Sequence, residues 1–333
     1  MVYYRVLATI FIFLCHIFGK SNIPIIQMSS QFFNVGVSMF IVLSGFLYGM
    51  NAVKRPIGKW YCKRWFRICV PEYIFVLILF AVHLAVSNTI KPLNWIVLLL
   101  NLQGIEIYVN GAEHLWYLTV ILFCYLITPL LDKLFGKEKP SPGRIWMILL
   151  PVASFCVVCA YFIHRHTAIY LVYVLLYIVA FLFGRYRYSF VSKQNAVLCI
   201  LAAALFAGFR LAGKYFADGS TLYDVFIVGV TQGAIALCLL CAVCSIKKLR
   251  PFTALCWFDT ISYEFYLVHY MFIVGPVSVM SLTPYTAING MMVAVVSLGL
   301  AWIIHVVGNK VSSLIHRPDK ADCSFSSDGS KKM

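Results

Sequence analysis

Charged residues are scarce in this sequence, and acidic residues are the scarcest of them. Of 333 residues only 12% are charged, with Asp+Glu 12 against Lys+Arg 27, while 62% are apolar. A soluble domain of this length carries about twice that fraction of charged residues. The composition therefore excludes a soluble enzyme and predicts a membrane protein. The basic excess is typical of cytoplasmic loops that face anionic lipid headgroups, so we expect membrane lipids and not nucleic acid as partners.

The sequence also lacks a disulfide framework and a cleavable leader. Most of its cysteines lie inside apolar runs, where no loop offers a partner. Cys238, Cys241 and Cys244 have the spacing of an iron–sulfur ligand run, but the fourth cysteine and the proline of such runs are missing. The first apolar stretch has no A-x-A cleavage site and contains Arg5 and His16, which favours a retained membrane span.

Apolar runs long enough to cross a bilayer recur along the whole chain. A bilayer core needs about 20 apolar residues per helix, so we predict an all-α, polytopic bundle of about ten spans. The predicted spans are residues 2–19, 32–50, 70–87, 115–131, 145–163, 169–184, 195–211, 222–246, 261–281 and 286–309. The shorter run 93–102 is interpreted as a re-entrant or interfacial piece. Residues 1–310 should form the transmembrane domain, and 311–333 a disordered cytoplasmic tail.

Positive residues alternate between the predicted loops. All Lys and Arg except five fall in the loops and termini on one side of the predicted bundle. The five exceptions are Lys20, Lys91, Arg165, Arg210 and Lys214. Because positive loops are retained on the cytoplasmic side, we predict that both termini are cytoplasmic.

Two ionisable residues in the first span share a helix face. Arg5 and His16 are eleven residues apart, which at about 100° per residue is roughly 20° past three full turns and about 16 Å along the axis. Arg5 can reach the cytoplasmic surface, whereas His16 should face a polar cavity near the other side, where a neutral imidazole can accept a proton. A structural histidine that bonds a neighbouring helix is the alternative.

Basic residues also precede the third predicted span. Arg64 and Arg67 are three apart in a predicted cytoplasmic loop and would share a face if that loop is helical. Two guanidinium groups can bind phosphate, although plain positive-inside topology explains the charge as well. In the second span, Ser44 and Gly45 allow close helix packing or local unwinding near a ligand.

The remaining polar candidates lie near the other side of the bundle or late in the chain. Glu113, His114 and Trp116 stand ahead of the fourth span. Trp116 could be an anchor of the aromatic belt, whereas Glu113 and His114 could handle an acceptor hydroxyl or a sugar. Glu264 and His269 are five residues apart, so about 140° separates them and they cannot form one dyad on one face. One of the two is expected to line the cavity.

Isolated histidines elsewhere carry weaker signals. His83 and His305 are interpreted as structural histidines, because each stands alone in its span. His164 and His166 form an H-x-H pair, which by itself is a weak metal signal. We predict no metal site.

Five of these elements, in this order, resemble the motifs of acyltransferase family 3, the bacterial ten-span membrane O-acyltransferases that modify surface polysaccharides. The family's Arg-x10-His motif resembles Arg5 with His16, and its GVxxFFxxSGFL motif resembles residues 36–47. Its R-x-x-R motif resembles Arg64 with Arg67, and its H-x-W motif resembles His114 with Trp116. Its S-Y-x-x-Y-L-x-H motif resembles residues 262–269. The resemblance covers residues 2 to about 309. It departs from the family's double aromatic, in whose place this sequence has Met39-Phe40-Ile41.

The resemblance implies where the acyl donor and the catalytic groups would lie. Acyl-CoA would bind from the cytoplasm, with its phosphates against Arg64 and Arg67 and with Arg5 near the mouth of the site. His16 would be the general base, acting directly or after carrying the acyl group. Glu264 is the second candidate catalytic residue, and Ser44 with Gly45 are candidates for the oxyanion site. No metal and no tightly bound cofactor is implied.

The resemblance also implies the acceptor and the location. Glu113, His114, Trp116 and His269 would lie on the acceptor side. The acceptor would be a hydroxyl of a cell-envelope or exopolysaccharide glycan, or of a lipid-linked saccharide, and the protein would be a multi-pass protein of the plasma membrane. Acetyl is the expected acyl group, and succinyl is an alternative that would need another cation nearby. A secondary transporter is the main rival, but the internal duplication typical of many carriers is missing. A sensor or scaffold with a purely structural histidine is the other.

Overall fold

The computed structural model is all-helical in the part of the chain that it describes. The described residues are 1–51, 53, 56–86, 91–103, 108–136, 140–186, 194–246 and 251–315. The helices are α1 (Val2–Phe18), α2 (Pro24–Phe33), α3 (Val35–Met50), α4 (Ile57–Ala85), α5 (Pro92–Leu99), α6 (Trp116–Leu134), α7 (Pro142–Val158), α8 (Arg165–Tyr186), α9 (Ala196–Ala217), α10 (Val228–Ser245), α11 (Thr253–Ile273) and α12 (Thr286–Ile315). A 3-10 turn, Glu113–Leu115, precedes α6, and π-helical turns, Cys159–Ile163 and Leu222–Ile227, follow α7 and precede α10.

The helices confirm a polytopic membrane bundle. Among the described residues, 8 helical segments are long and apolar enough to cross a membrane, and α1 is a shorter apolar helix. α11 has the length of a span, but Asp259, Glu264 and its tyrosines make it less apolar. Each of the predicted spans corresponds to one of these helices.

Some predicted bounds were wrong, and proline explains two of them. α4 begins at Ile57 and continues through Pro71, so the basic stretch placed in a loop before residue 70 is helical. Neighbouring helices can compensate for a proline inside a membrane helix. α11 begins at Thr253 and ends at Ile273, before Gly275 and Pro276, and not at 281.

Two further differences concern the second and the last span. The second span is divided at Asn34 into α2 and α3. α12 continues to Ile315, five residues beyond the predicted domain boundary. Residues 316–333, the remainder of the predicted tail, lie outside the described residues.

Contacts between helix ends show how the helices alternate in direction. Arg5, at the start of α1, pairs with Asp259 in α11, and the ring of His16, near the end of α1, lies against His269, so these two helices run parallel. α12 is antiparallel to both, since a Cβ at Gly290 near its start would touch Ile17. We call the end with Arg5 the arginine end and the end with His16 the histidine end.

Glycines allow the backbones of α3 and α8 to approach closely. A Cβ on Gly45 would collide with the carbonyl oxygen of Tyr177, and one on Gly49 with the carbonyl oxygen of Phe181. A Cβ on Gly184 of α8 would likewise collide with the backbone carbonyl oxygen of Phe46. The small residues of the second span therefore serve helix packing, as small-residue motifs do in membrane bundles.

Replacing Gly49 by Ala should destabilise the bundle. The added Cβ meets backbone, which cannot rotate away, so α3 and α8 must separate, at a cost of roughly 1–3 kcal/mol. Thermal unfolding in detergent measures the loss. Gly208→Ala in α9 is the matched control, since nothing lies within 4 Å of its Cβ. Equal stability of the two variants would contradict this packing.

Candidate active site

α1 presents Arg5 and His16 to the same neighbour, as their spacing predicts. Arg5 forms a two-point ion pair with Asp259 near the start of α11, with Nε 2.7 Å from Oδ1 and Nη2 2.5 Å from Oδ2. His16 contacts the last turns of α11, where its ring centroid lies 4.6 Å from that of Tyr270. The two groups thus mark the two ends of one helix interface.

Three histidines meet at the histidine end of the bundle. The ring centroid of His16 lies 5.3 Å from that of His269 and 6.3 Å from that of His114, and the latter two are 5.2 Å apart. They come from α1, α11 and the 3-10 turn before α6. We call them the histidine cluster. Residues expected on the acceptor side are therefore brought together with His16.

The carbonyl oxygen of Tyr266 orients two members of the histidine cluster. His114 Nε2 lies 2.9 Å and His269 Nδ1 2.7 Å from this oxygen. Because a carbonyl only accepts hydrogen bonds, both of these ring nitrogens must carry the proton. The Tyr266 hydroxyl in turn donates to the carbonyl of His114 at 2.7 Å. These bonds set the tautomer and the ring orientation of both histidines.

The opposite ring nitrogens of the same two histidines are unpaired. His114 is 4% and His269 1% exposed, and within the described residues His114 Nδ1 and His269 Nε2 have no hydrogen-bond partner. Since their other nitrogens donate to Tyr266, these two carry free lone pairs. A buried unpaired acceptor is costly, so the cluster is suited to accept hydrogen bonds from a substrate or from an imidazolium.

A small cavity of about 40 Å³ opens beside the histidine cluster. It is lined by Ile12, Cys15, His16, Asn34, Val37, His114, Trp116 and Tyr266. By this measure one water molecule needs about 10–15 Å³, so the cavity has room for roughly three waters or for a small reacting group. Trp116 forms one wall, and its ring stacks on Tyr170 at a centroid distance of 5.3 Å.

The arginine end contains two further guanidinium groups. Arg64 lies over the ring of Trp60 at 4.9 Å, and its Nε donates to the Tyr48 hydroxyl at 3.3 Å. Arg67, one turn further along α4, is exposed. Neither forms an ion pair within the described residues, so both are available to an anion. Arg5, in contrast, is already paired with Asp259 and is not a free cation at this end.

Glu264 is not part of the cavity, although it was a catalytic candidate. Its Oε1 lies 2.9 Å from His305 Nδ1 on α12, and His305 Nε2 lies 2.9 Å from Asn309 Nδ2. The 140° offset from His269 turns Glu264 toward α12 and away from His16. The sequence suggested that His305 stands alone in its span, but His305 is the partner of the buried Glu264 carboxylate.

Other candidates also lie apart from the reacting groups. Ser44 and Gly45 are in the middle of α3, and the cavity lining includes neither. Glu113 uses Oε2 to accept a hydrogen bond from the Gly111 amide at 2.8 Å, which closes the turn before α6. Its role in the described residues is to shape the turn that carries His114.

Sequence reasoning missed Asp259 and the cavity residues Cys15 and Asn34. A signal for Asp259 was present, because an arginine at the edge of the membrane needs a counter-charge and Asp259 lies on the same predicted side. Cys15 and Asn34 carry no such signal. Only the packing of α1 against α3 brings them to the cavity.

Comparison with known proteins identifies one family. The family model for an acyltransferase domain, that of acyltransferase family 3, matches residues 3–306. The match includes every motif that carries the resemblance found in the sequence. No curated protein and no solved structure matches the chain.

Breaking the Arg5–Asp259 pair should loosen α1. In Asp259→Asn the two bonds lose their charged acceptor, and hydrogen bonds to charged groups contribute about 1.5–3 kcal/mol. We expect a lower unfolding temperature in detergent and partial recovery in the exchanged double variant Arg5→Asp/Asp259→Arg. Unchanged stability of Asp259→Asn would show that the pair does not hold α1.

Proposed function

Because this chain belongs to acyltransferase family 3, we propose that it transfers an acyl group from cytoplasmic acyl-CoA to a hydroxyl of a cell-envelope or exopolysaccharide glycan. Family membership makes the protein an acyltransferase, and its apolar helices make it a multi-pass membrane protein. The donor, the acceptor and the location in the plasma membrane are parts of the proposal.

The observation that carries the proposal is a cavity that is lined by His16 and bordered by two histidines with fixed tautomers. Acyl transfer to a hydroxyl needs a base to accept the hydroxyl proton, and a neutral imidazole performs this role near neutral pH. His114 and His269 each donate a hydrogen bond from one ring nitrogen to the carbonyl oxygen of Tyr266. The ring of His16 forms no such hydrogen bond with a described residue. His16 is therefore the proposed general base.

The proposed step conserves protons and electrons. The acceptor hydroxyl gives its proton to His16 while its oxygen attacks the thioester carbonyl carbon. The tetrahedral intermediate then expels CoA by cleavage of the carbon–sulfur bond, and the thiolate takes the proton from the His16 imidazolium. His269 Nε2 and His114 Nδ1 can accept hydrogen bonds during these steps. Direct transfer is preferred over an acyl group carried on His16.

The length of the bundle fits a long and narrow donor. Arg64 lies fifteen residues before Leu79 on α4, and Leu79 is at the level of Gly111, next to the turn that carries His114. Fifteen residues of helix are about 22 Å. A donor with a phosphate group at Arg64 and Arg67 and a reacting carbonyl at His16 must bridge this distance. Acyl-CoA has its phosphates and its thioester at opposite ends of a flexible arm.

The small cavity favours a short acyl group. At about 40 Å³ it fits the reacting carbonyl with a short acyl group, and acetyl is the proposed group. The ring of the acceptor sugar would lie at the mouth of the cavity, where Trp116 and Tyr170 offer stacked aromatic rings of the kind that bury apolar sugar faces. Succinyl remains the alternative acyl group.

Replacing His16 should abolish transfer without unfolding the protein. General bases contribute about 10²–10⁴-fold to rates, so His16→Gln should lower the release of CoA from radiolabelled acetyl-CoA by that factor in nanodiscs. His166→Gln is the control, because His166 is exposed in the described structure. Label retained on the native protein would indicate an acyl-enzyme. Undiminished turnover by His16→Gln would exclude His16 as the base, and no CoA release by native protein with any acyl-CoA would overturn the donor.

Removing the guanidinium groups of α4 should weaken donor binding more than chemistry. In Arg64→Ala/Arg67→Ala we expect KM for acetyl-CoA to rise about tenfold or more with kcat little changed, because contacts remote from the reacting bond act equally on substrate and transition state. Lys59→Ala/Lys63→Ala removes the same charge from the same helix and is the control. If both double variants raise KM equally, general positive charge and not the arginine pair binds the donor.

A further inference from the structure

Arg210 is a buried guanidinium group near the histidine cluster, and the proposed reaction does not use it. Arg210 is one of the five exceptions to the predicted charge asymmetry, and it lies inside α9 with only 7% of its surface exposed. An ionisable group buried in a membrane bundle is costly unless it is paired, and such groups mark functional sites.

Arg210 differs from three other arginines of the bundle, because it lacks an acidic partner. Arg5 pairs with Asp259, Arg185 with Asp132 and Arg165 with Asp224. Arg210 forms no ion pair with a described residue, and its Nη1 is buried without any hydrogen-bond partner there. The side chains beside its guanidinium group are Tyr223, to which it is hydrogen-bonded, Tyr173 and Cys15, and none of them is a carboxylate.

A second buried hydrogen-bond donor is connected to Arg210 through Tyr173. The Tyr173 hydroxyl donates to Gln232 Oε1 at 3.3 Å, and the Ser38 hydroxyl donates to the same oxygen at 3.1 Å. Gln232 is 1% exposed, and its Nε2 has no partner among the described residues. Two buried donors in one neighbourhood, one of them cationic, are thus left without acceptors.

This neighbourhood adjoins the cavity of the histidine cluster. Cys15 lines that cavity beside His16 and also lies within electrostatic range of Arg210. Tyr173 packs against the cavity wall, with its ring centroid 5.5 Å from that of Trp116. A substrate that reacts at His16 can therefore extend toward Arg210 along Cys15 and Tyr173.

We propose that Arg210, assisted by Gln232, binds a carboxylate of the substrate. A guanidinium group binds the two oxygens of a carboxylate side by side, and an amide N–H can bind a remaining lone pair. The inference rests on the proposed function and narrows its substrate class. Two sources of the carboxylate fit, the far end of a dicarboxylic acyl group such as succinyl, or an acidic sugar in the acceptor.

A binding experiment tests the site without requiring turnover. The full chain in nanodiscs is heated with increasing succinate or glucuronate, with glucose as the neutral probe, and the unfolding temperature is followed. Native protein should be stabilised by at least one carboxylate and not by glucose, and Arg210→Gln should lose this stabilisation. Lys214→Gln is the control, since Lys214 is one turn further along α9 and contacts Gln31 at 2.8 Å. It should respond like native protein.

Turnover then separates the two sources. If the carboxylate belongs to the acyl group, native protein should prefer succinyl-CoA to acetyl-CoA. Arg210→Gln should then lose about 10- to 100-fold in kcat/KM with succinyl-CoA alone. If it belongs to the acceptor, both donors should be used equally, and Arg210→Gln should raise only the concentration of glucuronate needed for stabilisation. Arg210→Lys, which keeps the charge, replaces Arg210→Gln if the latter fails to fold.

Two results would overturn the inference. In the first, no carboxylate stabilises the native protein, and its ratio of kcat/KM with succinyl-CoA to kcat/KM with acetyl-CoA equals the ratio measured for Arg210→Gln. The other is an equal response of Arg210→Gln and Lys214→Gln to every probe. If native protein releases no CoA but is stabilised by a carboxylate through Arg210, the proposed function fails while the binding site stands.

Discussion

The rest of the site depends on the interface between α1 and α11. A two-point ion pair between Arg5 and Asp259 fixes the two helices at one end, and the contact of His16 with His269 and Tyr270 joins them at the other. The Tyr4 hydroxyl of α1 also donates to the carbonyl oxygen of Ala236 at 2.8 Å. We expect the ion pair and this hydrogen bond together to set how far His16 reaches into the cavity.

The second constraint is that one backbone carbonyl holds two histidines. The carbonyl oxygen of Tyr266 accepts hydrogen bonds from both His114 and His269. Each ring is therefore left with one free nitrogen, which carries a lone pair and no proton. Buried polar groups in a membrane must be paired or face a ligand. The free nitrogens of His114 and His269 border one small cavity that His16 also lines. This arrangement favours the proposed general-base role of His16 over a purely structural histidine.

Much of the fold and part of the site could be predicted from the sequence. Apolar length predicted the helices, and the spacing of Arg5 and His16 predicted their common face, because both follow from local periodicity. The start of α4, the position of Glu264 and the burial of Arg210 could not be predicted in this way. Each depends on packing between helices far apart in sequence, which periodicity does not report.

We propose above all that a long donor connects the two ends of the bundle. A structure of the full chain bound to a thioether analogue of acetyl-CoA, which cannot transfer its acyl group, tests this most directly. We expect phosphates in contact with Arg64 and Arg67 and the acyl carbonyl in the cavity beside His16. An analogue whose acyl end lies away from His16, or whose phosphates bind at the histidine end, would contradict it.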